Sequence, residues 1–154
     1  MRFAFGRIAQ WFLHQYFLIV RGMTLGVRIA CFDSEGRVFL VRHTYVPGWH
    51  LPGGGVERGE TAEEAAIKEI REEGNLAATG EMRLVSVHLQ NRVSNRDHVF
   101  LYRADVEQTA PKVADREIKE CGFFDLNNLP EATTQATRRR LSELSGQVVS
   151  DPYW

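Results

Sequence analysis

Cysteine is nearly absent from this 154-residue chain, which holds only Cys31 and Cys121. Two widely separated thiols fit neither a disulfide framework nor a zinc-ligand spacing. Both read as small buried residues in a reducing compartment, which makes the cytoplasm the expected location. Charge of one sign is also lacking. Nineteen basic and twenty acidic residues leave a formal net charge of −1, so the chain as a whole carries no electrostatic footprint for nucleic acid. Long hydrophobic runs are missing too. The most apolar stretch, Trp11 to Val20, is broken by His14 and Gln15 and falls short of the ~20 residues needed to span a bilayer. No small-residue cleavage site follows it, as a signal peptide would require. Internal repeats and low-complexity tracts are absent.

One local absence stands out. Residues 1–22 contain no acidic residue but carry Arg2, Arg7 and Arg21 among many aromatics. The segment is expected to be a helix or strand packed on the domain or on a partner subunit. A basic amphipathic segment resting on a membrane surface is the alternative. The rest divides into a domain over residues 23–148 and a tail over 149–154. The length suits one domain around one core.

What is present is a pattern of strands around two helices. Leu25–Phe32 and Arg37–Arg42 read as strands joined by the turn Asp33-Ser34-Glu35-Gly36. Trp49–Leu51 is a short strand leading into glycines. Leu84–Leu89 alternates, with Val85, Val87 and Leu89 set against Ser86, His88 and Gln90. His98–Val106 and Gly122–Leu126 complete the strands, and Asn91–Asp97 is a polar connection. Thr133–Leu144 is a helix whose Arg138, Arg139 and Arg140 read as a solvated face. Strands before, between and after two helices predict an α/β fold with a mixed sheet.

The other helix carries the chemistry. Thr61 with Glu64 three residues later makes a capping box, and Gly74-Asn75 offers residues tolerant of the left-handed conformation that ends helices. Ala62, Ala66, Ile67 and Ile70 form its buried stripe. Glu69, Glu72 and Glu73 then share one face. Carboxylates this close repel each other by a few tenths of a kcal/mol per pair, and a divalent cation converts that repulsion into binding. Mg²⁺ suits such a site because it takes a few carboxylates together with substrate phosphates and water. Just upstream, Gly53-Gly54-Gly55 lets the backbone approach a ligand with no Cβ in the way.

This segment resembles the Nudix box, Gly-x5-Glu-x7-Arg-Glu-U-x-Glu-Glu-x-Gly-U with U aliphatic. Gly54, Glu60, Glu69, Ile70, Glu72, Glu73 and Leu76 occupy seven of the nine fixed positions, while Lys68 and Asn75 depart from the pattern. Trp49-His50-Leu51-Pro52 and Phe123–Pro130 also look like the family. The resemblance implies a Nudix-like α/β/α sandwich around a mixed sheet and a metal-dependent hydrolase of a nucleoside diphosphate linked to another group. It implies Glu72 and Glu73 as principal Mg²⁺ or Mn²⁺ ligands. Glu69 is implied as a ligand or as the base that deprotonates water, Glu60 as an outer ligand, and the Gly53 carbonyl as completing the coordination. Many members place a further base or ligand on a late loop, and Glu117 is the candidate here. Lysine cannot reproduce the planar fork of the family's arginine, so Lys68 is expected to pair with Glu64 or Glu72 instead.

Substrate contacts are assigned more loosely. Gly54 and Gly55 admit the substrate, and Arg92 and Arg96 are candidate phosphate donors. Trp49 or Tyr45 is placed to stack on a base, with a core position the alternative for Trp49. His43, His50, His88 and His98 show no metal-ligand spacing and read as structural. The expected partner is a small nucleotide, with no specific nucleic acid. The apolar N-terminal segment would serve a homodimer interface. The rival to turnover is a Nudix-like binding or regulatory domain that retains the ligand and does not cleave it.

Overall fold

The computed structural model describes residues 12–92 and 94–154. Residues 12–20 form a helix, α1, whose apolar side chains are mostly exposed; Ile19 reaches 78%. Residues 1–11 of the expected N-terminal segment lie outside the described residues. Among the described residues, no helix is long and apolar enough to cross a membrane.

Among the described residues, six strands build one mixed sheet. In chain order the elements are β1 (Thr24–Phe32), β2 (Val38–His43), α2 (Ala62–Gly74), β3 (Leu76–Ala78), β4 (Arg83–Leu89), β5 (Asp97–Gln108), β6 (Ile118–Phe124) and α3 (Gln135–Leu144). The strand order is β3-β5-β1-β2-β6, with β4 also paired to β5. β1 and β5 run parallel from Thr24↔Asp97 to Phe32↔Asp105, and every other pair is antiparallel.

The period of two in the strands divides the core. Val27, Ile29, Cys31, Phe39, Val41, Tyr102 and Ala104 face one side, where Ala65, Ala66 and Ile70 of α2 pack on them. Ala30, Phe32, Val38, Leu40 and Leu101 face the other, under Trp49, Leu51 and Leu141 of α3. The result is the expected α/β/α sandwich. α2 begins where the sequence predicts. Thr61 accepts from the Glu64 amide while Glu64 accepts from the Thr61 amide, and Asn75 closes the helix in the left-handed region at φ 52°.

Some boundaries and faces differ from the sequence reading. β6 begins at Ile118 rather than Gly122, because it continues along β2 as far as His43. Trp49–Leu51 is not a regular strand and makes two isolated bridges, Val41↔His50 and Trp49↔Thr133. β3 has no counterpart in the sequence reading. The alternation in β4 is real but inverted. A register shift between Leu84 and Ser86 accompanies a strand that leaves Leu84, Val85 and Val87 exposed and buries His88. The partner of His88 is Arg140, which is fully buried rather than on a solvated face.

Candidate active site

The glycine segment is laid along the first half of β1. Val27 N–H donates to Gly54 O (2.8 Å), Ile29 N–H to Pro52 O (2.9 Å) and Val56 N–H to Leu25 O (2.9 Å). Such close approach decides the residue type. Gly53 has φ +147°, and a Cβ there would lie 2.0 Å from the Val27 carbonyl oxygen. A Cβ on Gly54 would lie 2.4 Å from Glu69 Oε1. The glycines therefore seat the chain between β1 and the glutamate face of α2.

Glu73 is the best-anchored carboxylate. It is 4% exposed, and its Oε2 accepts from Gly53 N–H at 2.8 Å. Its Oε1 is 3.5 Å from His43 Nε2. That contact is not a settled ion pair. Burial pushes the Glu73 carboxyl up to about 8, opposed by the Gly53 N–H bond and by Arg28. Burial likewise pulls His43 down to about 4, with Arg28 and His50 adding to it. Both shifts favour the neutral forms, a protonated carboxyl and an uncharged imidazole. One donor atom each from His43, Glu73 and Glu117 lies within 4.8 Å of the others. His43 Nδ1 is buried without a hydrogen-bond partner. A neutral imidazole and two carboxylates suit a divalent cation, Mg²⁺ or Mn²⁺, which would take the place of the proton on Glu73.

Of the other predicted residues, Glu69 lines the same cleft as Glu117, and Glu60 and Glu72 do not. Glu69 is half-buried and lines a cleft of about 460 Å³ with Gly53, Gly54, Gly55, Tyr45 and Glu117. Burial, with Glu72 and Glu117 adding to it, raises its carboxyl above the ordinary range. Tyr45 Oη donates to Glu117 Oε1 at 3.3 Å. Glu72 is exposed, with Arg71 3.8 Å away. Glu60 is held by Lys68 at 2.9 Å and accepts from Glu57 N–H. Lys68 thus pairs with Glu60, not with Glu64 or Glu72 as expected, because the loop before the helix folds back within its reach.

Arg28 was not singled out from the sequence. Its Nη1 donates to Gly53 O (2.8 Å) and Leu51 O (3.1 Å), so the carbonyl expected to complete a metal site accepts from a guanidinium. The signal was present as a lone arginine between Val27 and Ile29 in an apolar strand. His43 carried no such signal, since only the fold brings it to Glu73. Arg92 is exposed and lines a second cavity beside the cleft. Arg96 is exposed on the β4–β5 connection and lines neither cavity. Trp49 is buried with its ring against Phe124, centroids 4.9 Å apart, so it is a core residue and not a stacking platform in the cleft. A larger cavity, about 770 Å³, lies at the far end of β1, where Asp33 and Arg37 pair with each other at 2.7 Å.

Comparison with known proteins agrees with this geometry. The family described as NUDIX domain matches residues 22–144. An ADP-ribose pyrophosphatase of Methanocaldococcus jannaschii is 36% identical over 104 residues, covering 64% of this chain and 60% of that protein. A putative mutator protein, MutT4, of Mycobacterium tuberculosis is 33% identical over 106 residues, covering 66% of this chain and 42% of that protein. The chain thus spans less than two thirds of the curated relatives it matches. The crystal structure of a MutT NUDIX hydrolase from Burkholderia pseudomallei superposes with a TM-score of 0.66 at 29% identity, covering 79% of this chain and 97% of that one.

Proposed function

The chain belongs to the NUDIX domain family, and from that membership and the geometry of its cleft we propose that it hydrolyses the phosphoanhydride of a nucleoside diphosphate linked to another group. The ADP-ribose in the name of the Methanocaldococcus relative is one such compound. The observation that carries the reading is the buried Glu73, anchored by Gly53 N–H and gathered with His43 and Glu117. Glu73 and Glu117, with His43, would hold Mg²⁺ or Mn²⁺, with Glu69 and Glu72 on the adjoining helix face. When bound, the cation neutralises phosphate oxygens and acidifies water.

The remaining chemistry falls to the chain's own groups. Arg28 sets a fixed positive charge in the floor of the cleft, where it attracts the diphosphate. Glu69 faces the same space with a carboxyl that burial raises above the ordinary range. In its ionised form it takes the proton from the attacking water. The water oxygen forms a new bond to phosphorus, the bridging P–O bond breaks, and the leaving phosphate departs with the bridging oxygen. Lys68 keeps Glu60 neutralised, which steadies the loop that enters α2.

The test is a panel of nucleoside diphosphate derivatives and nucleoside triphosphates, assayed with each metal. Wild type should release a monophosphate or inorganic phosphate from at least one of them. Glu69→Gln should lower kcat by about 10²-fold or more. A wild-type protein that binds a nucleotide tightly and never cleaves it with either metal would place the chain among binding domains instead.

A further inference from the structure

A second cavity of about 310 Å³ adjoins the acidic cleft. Arg28 and Gln90 line both, so the two spaces meet at the diphosphate-attracting arginine. The chemistry changes across that boundary. The cleft is lined by carboxylates and glycine backbone, whereas the second cavity has apolar walls from Val46, Leu51 and Trp154. Its volume is at the small end of the ~300–1,000 Å³ range of ligand pockets, enough for one heterocycle with its sugar.

Trp154 is placed there by a built arrangement. Leu89 N–H donates to Pro152 O (2.9 Å) and Trp154 N–H to Leu89 O (3.1 Å), so the closing residues add to the edge of β4. His88, inverted into the interior by the β4 register, lies 2.6 Å from Asp151 O through Nδ1. Asp151 N–H donates to Glu143 Oε1 (3.2 Å), and Arg139 pairs with the Asp151 carboxylate. The fully buried Arg140 donates to Glu143 Oε1 (2.7 Å), and its guanidinium lies over the Trp154 ring, 5.4 Å from the centroid. An indole held this firmly, half-buried and lining a cavity, offers an aromatic wall to that space.

We infer that this cavity is the subsite for the planar base of the nucleotide, with Trp154 as its aromatic wall, the diphosphate crossing Arg28 into the acidic cleft. Trp154 takes the role that the sequence suggested for Trp49. The inference rests on the proposed hydrolysis of a nucleotide, because it assigns the base end of that substrate.

The test uses the full chain and calorimetric titration with ADP, GDP and inorganic pyrophosphate in the presence of Mg²⁺. The readout is the ratio of nucleotide to pyrophosphate affinity. Trp154→Ala should lower that ratio by about tenfold, as loss of one base–aromatic stack does. Trp154→Phe should keep it within about threefold, since a ring is restored. Ala136→Phe should lower the ratio as well, by filling the cavity from α3 with the Trp154 side chain left unchanged. Circular dichroism confirms that each variant is folded. A ratio unchanged in both Trp154→Ala and Ala136→Phe overturns the subsite while leaving the hydrolase reading intact. A wild type that binds pyrophosphate and cleaves anhydrides with no preference for a base does the same. A wild type that binds none of these compounds and cleaves none of the nucleoside diphosphate derivatives or nucleoside triphosphates overturns both.

Discussion

Glu73 combines two opposing demands. Burial disfavours its charge, yet the Gly53 N–H bond and Arg28 favour it, and the balance is a carboxyl near pH 8. Folded Glu73 therefore holds a proton between the ordinary carboxylate range and about pH 8, where the unfolded chain has lost it. Without metal, this group's contribution to stability is greatest at low pH and is lost as pH rises through about 8. A cation competes with that proton. Added Mn²⁺ or Mg²⁺ should raise the melting temperature more near pH 9 than near pH 6.5, and thermal scans at the two pH values check it. Gly53 gives a second prediction. With φ +147° and the Val27 carbonyl in the way, Gly53→Ala should destabilise by at least ~1–3 kcal/mol from backbone conformation alone, measured by urea unfolding. At this scale spacing along one helix made Glu69, Glu72 and Glu73 readable as a set, whereas the fold gathers Glu73 with His43 and Glu117 and leaves Glu72 exposed. It was silent on His43, because the approach of β2 to α2 is a tertiary fact with no local signature.

At the scale of elements, period told strand from helix but not which face would be buried. β4 shows this best. Val85 and Val87 alternate with Ser86 and His88, and the polar set faces inward, where Arg140 of α3 and the backbone of Asp151 meet it. The same pairing explains why one member of the Arg138–Arg140 run is buried while its neighbours stay exposed. Arg140 contacts His88, Glu143 and the Trp154 ring together. Removing one partner of a buried charged pair typically costs about 3–5 kcal/mol. Arg140→Ala should destabilise by that order, and by much more than Arg138→Ala, in equilibrium denaturation. The capping box of α2 was legible because its signal lies within four consecutive residues. β3 was not, since it exists only by pairing with the end of β5.

For the whole molecule, the parallel pairing of β1 with β5 is central. It sets β1 beneath the glycine segment, α2 against one face of the sheet, and the β4 edge with its added closing residues beside the cleft. α1 keeps most of its apolar side chains exposed. A chain beginning at Met23 should keep its metal affinity within about twofold of the full chain, because the proposed metal-holding residues His43, Glu73 and Glu117 all lie after it. Vesicle sedimentation of the two chains then tests the membrane-surface role read for residues 1–22.

The most direct measurement is a Mn²⁺ titration followed by electron paramagnetic resonance, on the full chain and on Glu73→Gln and Glu69→Gln, near pH 9 where Glu73 is ionised. Saturable binding by the wild type, weakened by about tenfold or more in Glu73→Gln, is the expected result. Equal Mn²⁺ affinity in all three proteins, or no saturable binding in the wild type, would contradict a cation held by these carboxylates.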